Sequence, residues 1–217
     1  FNSPAVRPFD DLSLRPAMLL AAGTEAAARA LIDRGVAADG MVWRKGTPLP
    51  RALYLPTHDT ARNVRAPWYP APGRFAGVEI ARLPIDELAG QSRLILLQTG
   101  IAAVPSLASL HWLPGALADH LTSFGGRIAT HGGEPASSEW AAGGQTSVVE
   151  WIRSGATASH GTVSEPCNHL QKFPQPQVLL LHYLQGATAI EAYWKSVAWP
   201  QQSLFVGEPL AAPFARI

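Results

Sequence analysis

The stretch RLILLQTG, Arg93–Gly100, constrains the fold more than any other. It is a continuous, branched apolar run that ends at a glycine. Such a run suits a strand covered on both faces, and a strand covered twice needs packed layers on either side. The rest of the chain supplies them by alternation. MLLAA (Met18–Ala22), ALYLPT (Ala52–Thr57), GALADHLTSFGG (Gly115–Gly126), ATASHGTVS and SLFVGEPL read as strands or strand ends. Between them lie helical patterns. In GTEAAARALIDRGVAADG, Thr24 is placed to cap, Ala27, Leu31 and Ile32 share a face, and Gly35 is a stop. DTARNVRAPWY opens at Asp59 and breaks at Pro67; TSVVEWIRSG starts at Thr146; PQVLLLHYLQGATAIEAYWKSV has helical spacing on both sides of Gly186. Strand then helix, repeated with short loops, predicts an α/β sandwich with a mostly parallel sheet.

Composition narrows the function classes. The 217 residues suit one domain, 1–217, with one sizeable core. Hydrophobic residues make up 47% and charged residues 15%, which argues against disorder. A net charge of +1 gives no field for nucleic acid or for an anionic membrane surface. The densest basic cluster is Arg62 and Arg65. No apolar run reaches the ~18–20 residues of a membrane span. A single cysteine excludes an internal disulfide. With 19 Pro and seven Trp, the composition leans towards an exported protein. The start at FNSPAVRPFDD, without Met or leader, reads as a processed or truncated product.

In a parallel sheet, sites gather at the carboxyl ends of strands. Two polar clusters fall there. In DHLTSFGG, alternation turns Asp119, Leu121 and Ser123 one way and His120 and Thr122 the other, so this segment alone makes no Ser–His–Asp triad. The glycine pair after it allows close approach of a backbone or ligand. In SHGTVSEPCNH, Cys167 and His169 have room to ligate a metal, with His160 as a third donor; thiolate and imidazole suit Zn or Cu. Cys167 also serves as a nucleophile if a histidine such as His120, His131 or His160 lowers its pKa, and a lone cysteine is equally at home as packing. Glu165 and Lys172 flank the same loop and are candidates for a pair that orders it. The candidates are thus Asp119, His120, Ser123, His160 and Cys167 for catalysis, Thr122, Glu165 and Lys172 for binding, and His160, Cys167 and His169 for a metal.

Taken together, RPAMLLAA, ALIDRGVAADG, HDTARNVR, GALADHLTSFGG, SGATASHGTVSEPC, EAYWKSV and LFVGEPLAAPF resemble a family of exported bacterial proteins without an assigned activity, whose members are longer at the N-terminus. The resemblance spans nearly the whole chain. The C-terminal half also resembles, more distantly, the gingipain-type cysteine peptidases of the caspase-like class. SGATASHGTV, the EAYWKSV helix and the closing LFVGEPL carry that likeness, with Glu208 where those domains have Asp. The resemblance implies a caspase-like three-layer α/β sandwich. It also implies a His-Gly after one central strand and a Cys after the next. This chain has Gln98-Thr99-Gly100 and Thr122-Ser123 at those seats, and Cys167 comes one strand later. The expectation is therefore a periplasmic or extracellular pseudoenzyme without cofactor, acting as a binding or assembly module towards a protein partner or a leading segment of its own chain. The alternatives are a hydrolase with a rearranged Ser/Thr/Cys–His site, and a Cu or Zn binder.

Overall fold

Residues 94–99 form a strand in which every side chain is buried, as the apolar run demands. The computed structural model describes residues 11, 13, 15–128, 130–131, 134–135, 144–166 and 168–216. Nine strands are present among them: β1 (Arg51–Leu55), β2 (Gly73–Phe75), β3 (Val78–Arg82), β4 (Leu94–Thr99), β5 (Trp112–His120), β6 (Thr130–His131), β7 (Glu134–Pro135), β8 (Ala158–Thr162) and β9 (Ser203–Gly207). The α-helices are α1 (Glu25–Ala38), α2 (Val148–Ser154), α3 (Pro176–Leu184) and α4 (Ala189–Ser196). β6 and β7 pair only with each other.

The other strands make a seven-stranded sheet in the order β2-β3-β1-β4-β5-β8-β9. β3, β1, β4, β5 and β8 run parallel; β2 and β9, at the two edges, run antiparallel to their neighbours. Helices flank the sheet on both faces. Tyr54, Leu96, Leu117, Ala158 and Phe205 turn to α3 and α4, where they meet Leu179, Leu180, Tyr183, Ala189, Ala192 and Tyr193. On the opposite face Leu53, Leu55, Leu97 and Ala118 pack with Trp151 of α2, and Val206 packs with Leu31 of α1 and with Val148, Val149 and Ile152 of α2. Each fully buried side chain of this size stabilises the fold by roughly 1.5–3 kcal/mol.

Local chemistry explains the boundaries. The Thr24 hydroxyl accepts from the Ala27 N–H at 3.1 Å and caps α1, as expected. The helix runs three residues past Gly35, because Gly35 is where the helix backbone meets the Glu208 side chain. Its buried residues are Leu31, Gly35 and Ala38, while Ile32 faces solvent, so the buried stripe is narrower than the sequence pattern. Ser147, not Thr146, caps α2 through a capping box with Glu150; Thr146 Oγ1 instead accepts from the Val104 N–H at 2.8 Å. Of Met18–Ala22 only Leu19 pairs, in one parallel bridge with Val206 at the edge of β9. DTARNVRAPWY holds turns and a single 3-10 turn, Ala66–Trp68, rather than a helix. The β2–β3 hairpin is an element the sequence pattern did not announce.

The glycine pair after β5 brings one backbone against another. A Cβ on Gly126 would lie 2.1 Å from the Gly161 carbonyl oxygen, and one on Gly161 would lie 2.4 Å from the Gly126 nitrogen. That contact lets the Gly126 N–H reach the Thr162 carbonyl at 2.9 Å and ties the β5 end to β8. We expect Gly126→Ala to cost about 2–4 kcal/mol in urea unfolding, and Gly125→Ala, whose Cβ meets nothing closer than 3.2 Å, to cost less than about 1.5 kcal/mol.

Candidate functional site

Strand register, set by the apolar rows, builds one polar row across the sheet. Tyr54, Gln98, Asp119, His160 and Phe205 stand side by side on β1, β4, β5, β8 and β9. The next row towards the amino ends is Ala52, Leu96, Leu117, Ala158 and Gly207, which is apolar and belongs to the core. The polar row is therefore the last layer before the carboxyl rim, and α3, α4 and the 163–173 loop lie over it. β5 and β8 are direct neighbours, so His160 comes to the same rim as Asp119 and His120.

At its centre is a buried ion pair. Arg65, from the segment after β1, donates through Nη1 to Asp119 Oδ1 at 2.5 Å, and the two side chains are 2% and 0% exposed. Gln98 Nε2 donates to the other carboxylate oxygen at 2.8 Å. The guanidinium also donates to the carbonyls of Pro174 at 3.2 Å and Thr99 at 2.9 Å, and lies 5.7 Å from the Phe173 ring. Burial pushes the Asp119 carboxyl up, against the guanidinium and the Gln98 amide, which pull it down. Tyr69, beside this pair, has its phenol pushed up to about 12, again mainly by burial.

The two histidines of the strand ends are separated by the sheet. His160 lies on the Arg65 face among Phe205, Phe173 and Tyr193, at ring distances of 5.1, 6.0 and 6.2 Å. Neither ring nitrogen has a partner at hydrogen-bond geometry among the described residues, although the backbone of Lys172 lies near enough to favour the charged form slightly. His120 lies on the other face, where Trp151 Nε1–H donates to its Nδ1 at 3.0 Å. That bond requires an unprotonated Nδ1 and so a neutral ring. Both pKa values fall to about 3, first through burial and next through the positive charge of Arg65.

The rim itself is stitched shut. Thr122 Oγ1 accepts from Arg62 Nε at 3.2 Å and donates to Gln145 Oε1 at 2.7 Å; the same Gln145 oxygen accepts from the Phe124 N–H at 2.8 Å. Asp59 Oδ2 holds Arg62 at 2.9 Å. Thr162 Oγ1 lies within 2.9 Å of the carbonyls of both Thr122 and Ser123. Gly100 is pressed against the segment after β1: a Cβ there would lie 1.9 Å from the Arg62 carbonyl oxygen.

Of the residues singled out from sequence, Asp119, His120, Thr122, Ser123 and His160 are buried at this rim. Asp119 is held by Arg65, His120 by Trp151 and Thr122 by Arg62 and Gln145; among the described residues neither His120 nor His160 hydrogen-bonds to a hydroxyl. Glu165 is exposed, and its peptide bond to Pro166 is cis. Lys172 is fully buried and donates to the carbonyls of Ser164 and Pro166, so it orders the loop through backbone rather than lying at the surface. His169 is exposed, 5.8 Å from the Trp199 ring, away from the aromatic box of His160. Cys167 lies outside the described residues, and so do both calls that use it, nucleophile and ligand. Among the described residues no group of three His, Cys, Asp or Glu is placed to hold a metal ion. Arg65, Gln98, Arg62 and Gln145 organise the site and were not picked out from sequence; the Arg62/Arg65 cluster was the one available signal. The chain matches no family model, no curated protein and no solved structure.

Removing one member of the buried pair leaves the other charge without its partner. Arg65→Met should cost about 3–5 kcal/mol by urea unfolding, and Arg65→Met with Asp119→Leu should cost clearly less than the two single changes added together. The histidines set the acid limit. Their folded pKa of about 3 lies below the unfolded 6.5, so the unfolded chain binds the extra protons in acid. Stability is full above about pH 6.5 and falls by roughly 1.4 kcal/mol per pH unit for each ring between about pH 6.5 and 3. Unfolding at pH 7.5 and at pH 5 should differ by about 3–4 kcal/mol; a flat profile would contradict buried neutral imidazoles.

Proposed function

We propose that this chain is a caspase-like domain of an exported bacterial protein, acting in the periplasm or outside the cell as a protein-binding or assembly module rather than as a peptidase. The reading is supported by where β4 and β5 end. They are adjacent parallel strands at the middle of the sheet, where the resemblance puts the catalytic His and Cys. The seat at the end of β4 is Gln98-Thr99-Gly100. With Gly100 on the glycine of a His-Gly, the histidine position is Thr99, which is fully buried and donates its hydroxyl to the Leu55 carbonyl at 2.9 Å. The seat after β5 is Thr122-Ser123: the Thr122 hydroxyl is committed to Arg62 and Gln145, and Ser123 is buried. A nucleophile needs a base within about 2.6–3.2 Å. The imidazoles at this rim face elsewhere: His120 towards Trp151, His160 into an aromatic box. The burial and hydrogen bonding of Thr99 and Thr122 at the two seats is the observation that carries the proposal.

Incubation of the purified protein with peptide and ester substrates should give no turnover above buffer, and Ser123→Ala should leave that result unchanged. Turnover that Ser123→Ala abolishes would overturn the proposal in favour of a rearranged hydrolase.

A further inference from the structure

The sheet ends on one side at β2, whose three residues, Gly73, Arg74 and Phe75, are all exposed. β2 runs antiparallel to β3, with Gly73 opposite Ile80, Arg74 opposite Glu79 and Phe75 opposite Val78. The Glu79 N–H donates to the Pro50 carbonyl at 2.9 Å, on the β1 side. In an antiparallel ladder the two residues of a pair turn their N–H and C=O groups either towards each other or both away. Glu79 turns away from β2, so Arg74 turns its N–H and C=O away from β3, off the edge of the sheet. A donor and an acceptor presented in this way are a template for one more strand.

Side chains choose the strand. Residues opposite each other on neighbouring strands share a face. On the α3 face, Phe75 and Ile80 line an open cleft of about 370 Å³ with Pro70, Ala71, Leu180 and Leu181. Phe75 and Leu181 are 54% and 45% exposed, so the cleft is an apolar surface open to solvent at the edge. Arg74 lies on the other face, in one row with Glu79 and Arg51. Both Glu79 oxygens are taken, by Arg51 at 3.3 Å and by Arg93 at 3.1 Å. The Arg74 guanidinium has no hydrogen-bond or ion-pair partner among the described residues, so this corner of the sheet lacks an acid. The inner side of β2 already shows a matching strand: Val78-Glu79-Ile80, apolar, acidic, apolar. We propose that the β2 edge binds an extended segment of a partner protein with this same pattern, added antiparallel. Its acidic residue lies opposite Arg74 and exchanges both main-chain bonds with it. Its apolar neighbours lie opposite Gly73 and Phe75, on the face that carries the cleft. A second copy pairing β2 with β2 about a two-fold axis would set Arg74 against Arg74, and like charges directly opposite are destabilising. This deepens the module reading, on which it rests for the role of the surface and not for the binding itself.

The test is NMR of the Arg74 amide during titration of the intact chain with three capped peptides. These are acetyl-Thr-Val-Glu-Ile-Thr-amide, the same peptide with Lys for Glu, and the Glu peptide methylated on the glutamyl nitrogen. The first should move the Arg74 N–H signal saturably, and slow its exchange with solvent, with a Kd of about 1 mM or tighter. The Lys peptide should bind at least about fivefold more weakly, through loss of the charge pair. The methylated peptide should bind at least about tenfold more weakly, because it has no N–H to give the Arg74 carbonyl. Arg74→Glu should reverse the preference between the Glu and Lys peptides and leave the unfolding midpoint in place, since residue 74 is exposed. Leu181→Ala should weaken the Glu peptide at least about threefold by removing apolar surface from the cleft, and serves should the first variant fail to fold. No saturable shift, full affinity for the Lys or methylated peptide, or an unchanged preference in Arg74→Glu would each overturn the proposal. So would a dimer in sedimentation that Arg74→Glu dissociates, which would assign the edge to a second copy. Hydrolysis of peptides or esters would instead overturn the module reading and leave this binding in place.

Discussion

The Arg65–Asp119 contact is the interaction on which the carboxyl rim depends. Taking a guanidinium and a carboxylate out of water costs several kcal/mol per ion even after relaxation, and their attraction offsets this only when the remaining donors and acceptors are satisfied. Here the carboxylate has Arg65 on one oxygen and Gln98 on the other. The guanidinium reaches two further carbonyls, one at the end of β4 and one just before α3. A single side chain thus fixes the segment after β1 against the ends of β4 and β5 and the entry to α3. The net energy of such a pair is small, so its larger effect is on geometry: it specifies which loop lies on which strand end.

The same pair decides how the neighbouring histidines behave. A guanidinium in a low-dielectric layer disfavours any further positive charge, and burial acts in the same sense. His160 accordingly sits as a flat apolar ring among three aromatic rings, and His120 as an acceptor for an indole. In both places imidazole acts as packing. Two histidines at adjacent strand ends look like catalytic machinery in sequence, yet they lie on opposite faces of the sheet, and burial first and the Arg65 charge second lower the pKa of both.

Much of this was legible from residue order alone. The uninterrupted apolar run of β4, the alternation that sends Asp119 and His120 to opposite faces, and the helical spacing broken at Gly186 are local signals, and the structure follows them. The misses share a cause. Choosing Ser147 over Thr146 as a cap depends on Val104, which lies far away in sequence and claims the threonine. Gly35 does not end α1 because Glu208, from the other end of the chain, packs on it. Arg65 meets Asp119 across 54 positions and Pro174 across 109. No window of a dozen residues carries such information. The β2–β3 hairpin escaped for a different reason: β2 is three residues long and wholly exposed, with no alternation to detect, and β3 alternates over only five residues.

Gly100 shows how close backbone packing fixes the rest of this rim. With no side chain after β4, the Arg62 carbonyl settles into the space where one would begin. From that position Arg62 reaches Thr122, Asp59 and Arg62 lock together, and Arg65 follows three residues later into its pocket under Thr99. Any side chain at position 100 would have to lift this whole segment. Lifting it would withdraw Arg65 from Asp119 and strand a carboxylate in the core. Closure at this rim is built into the packing of the sheet's own ends.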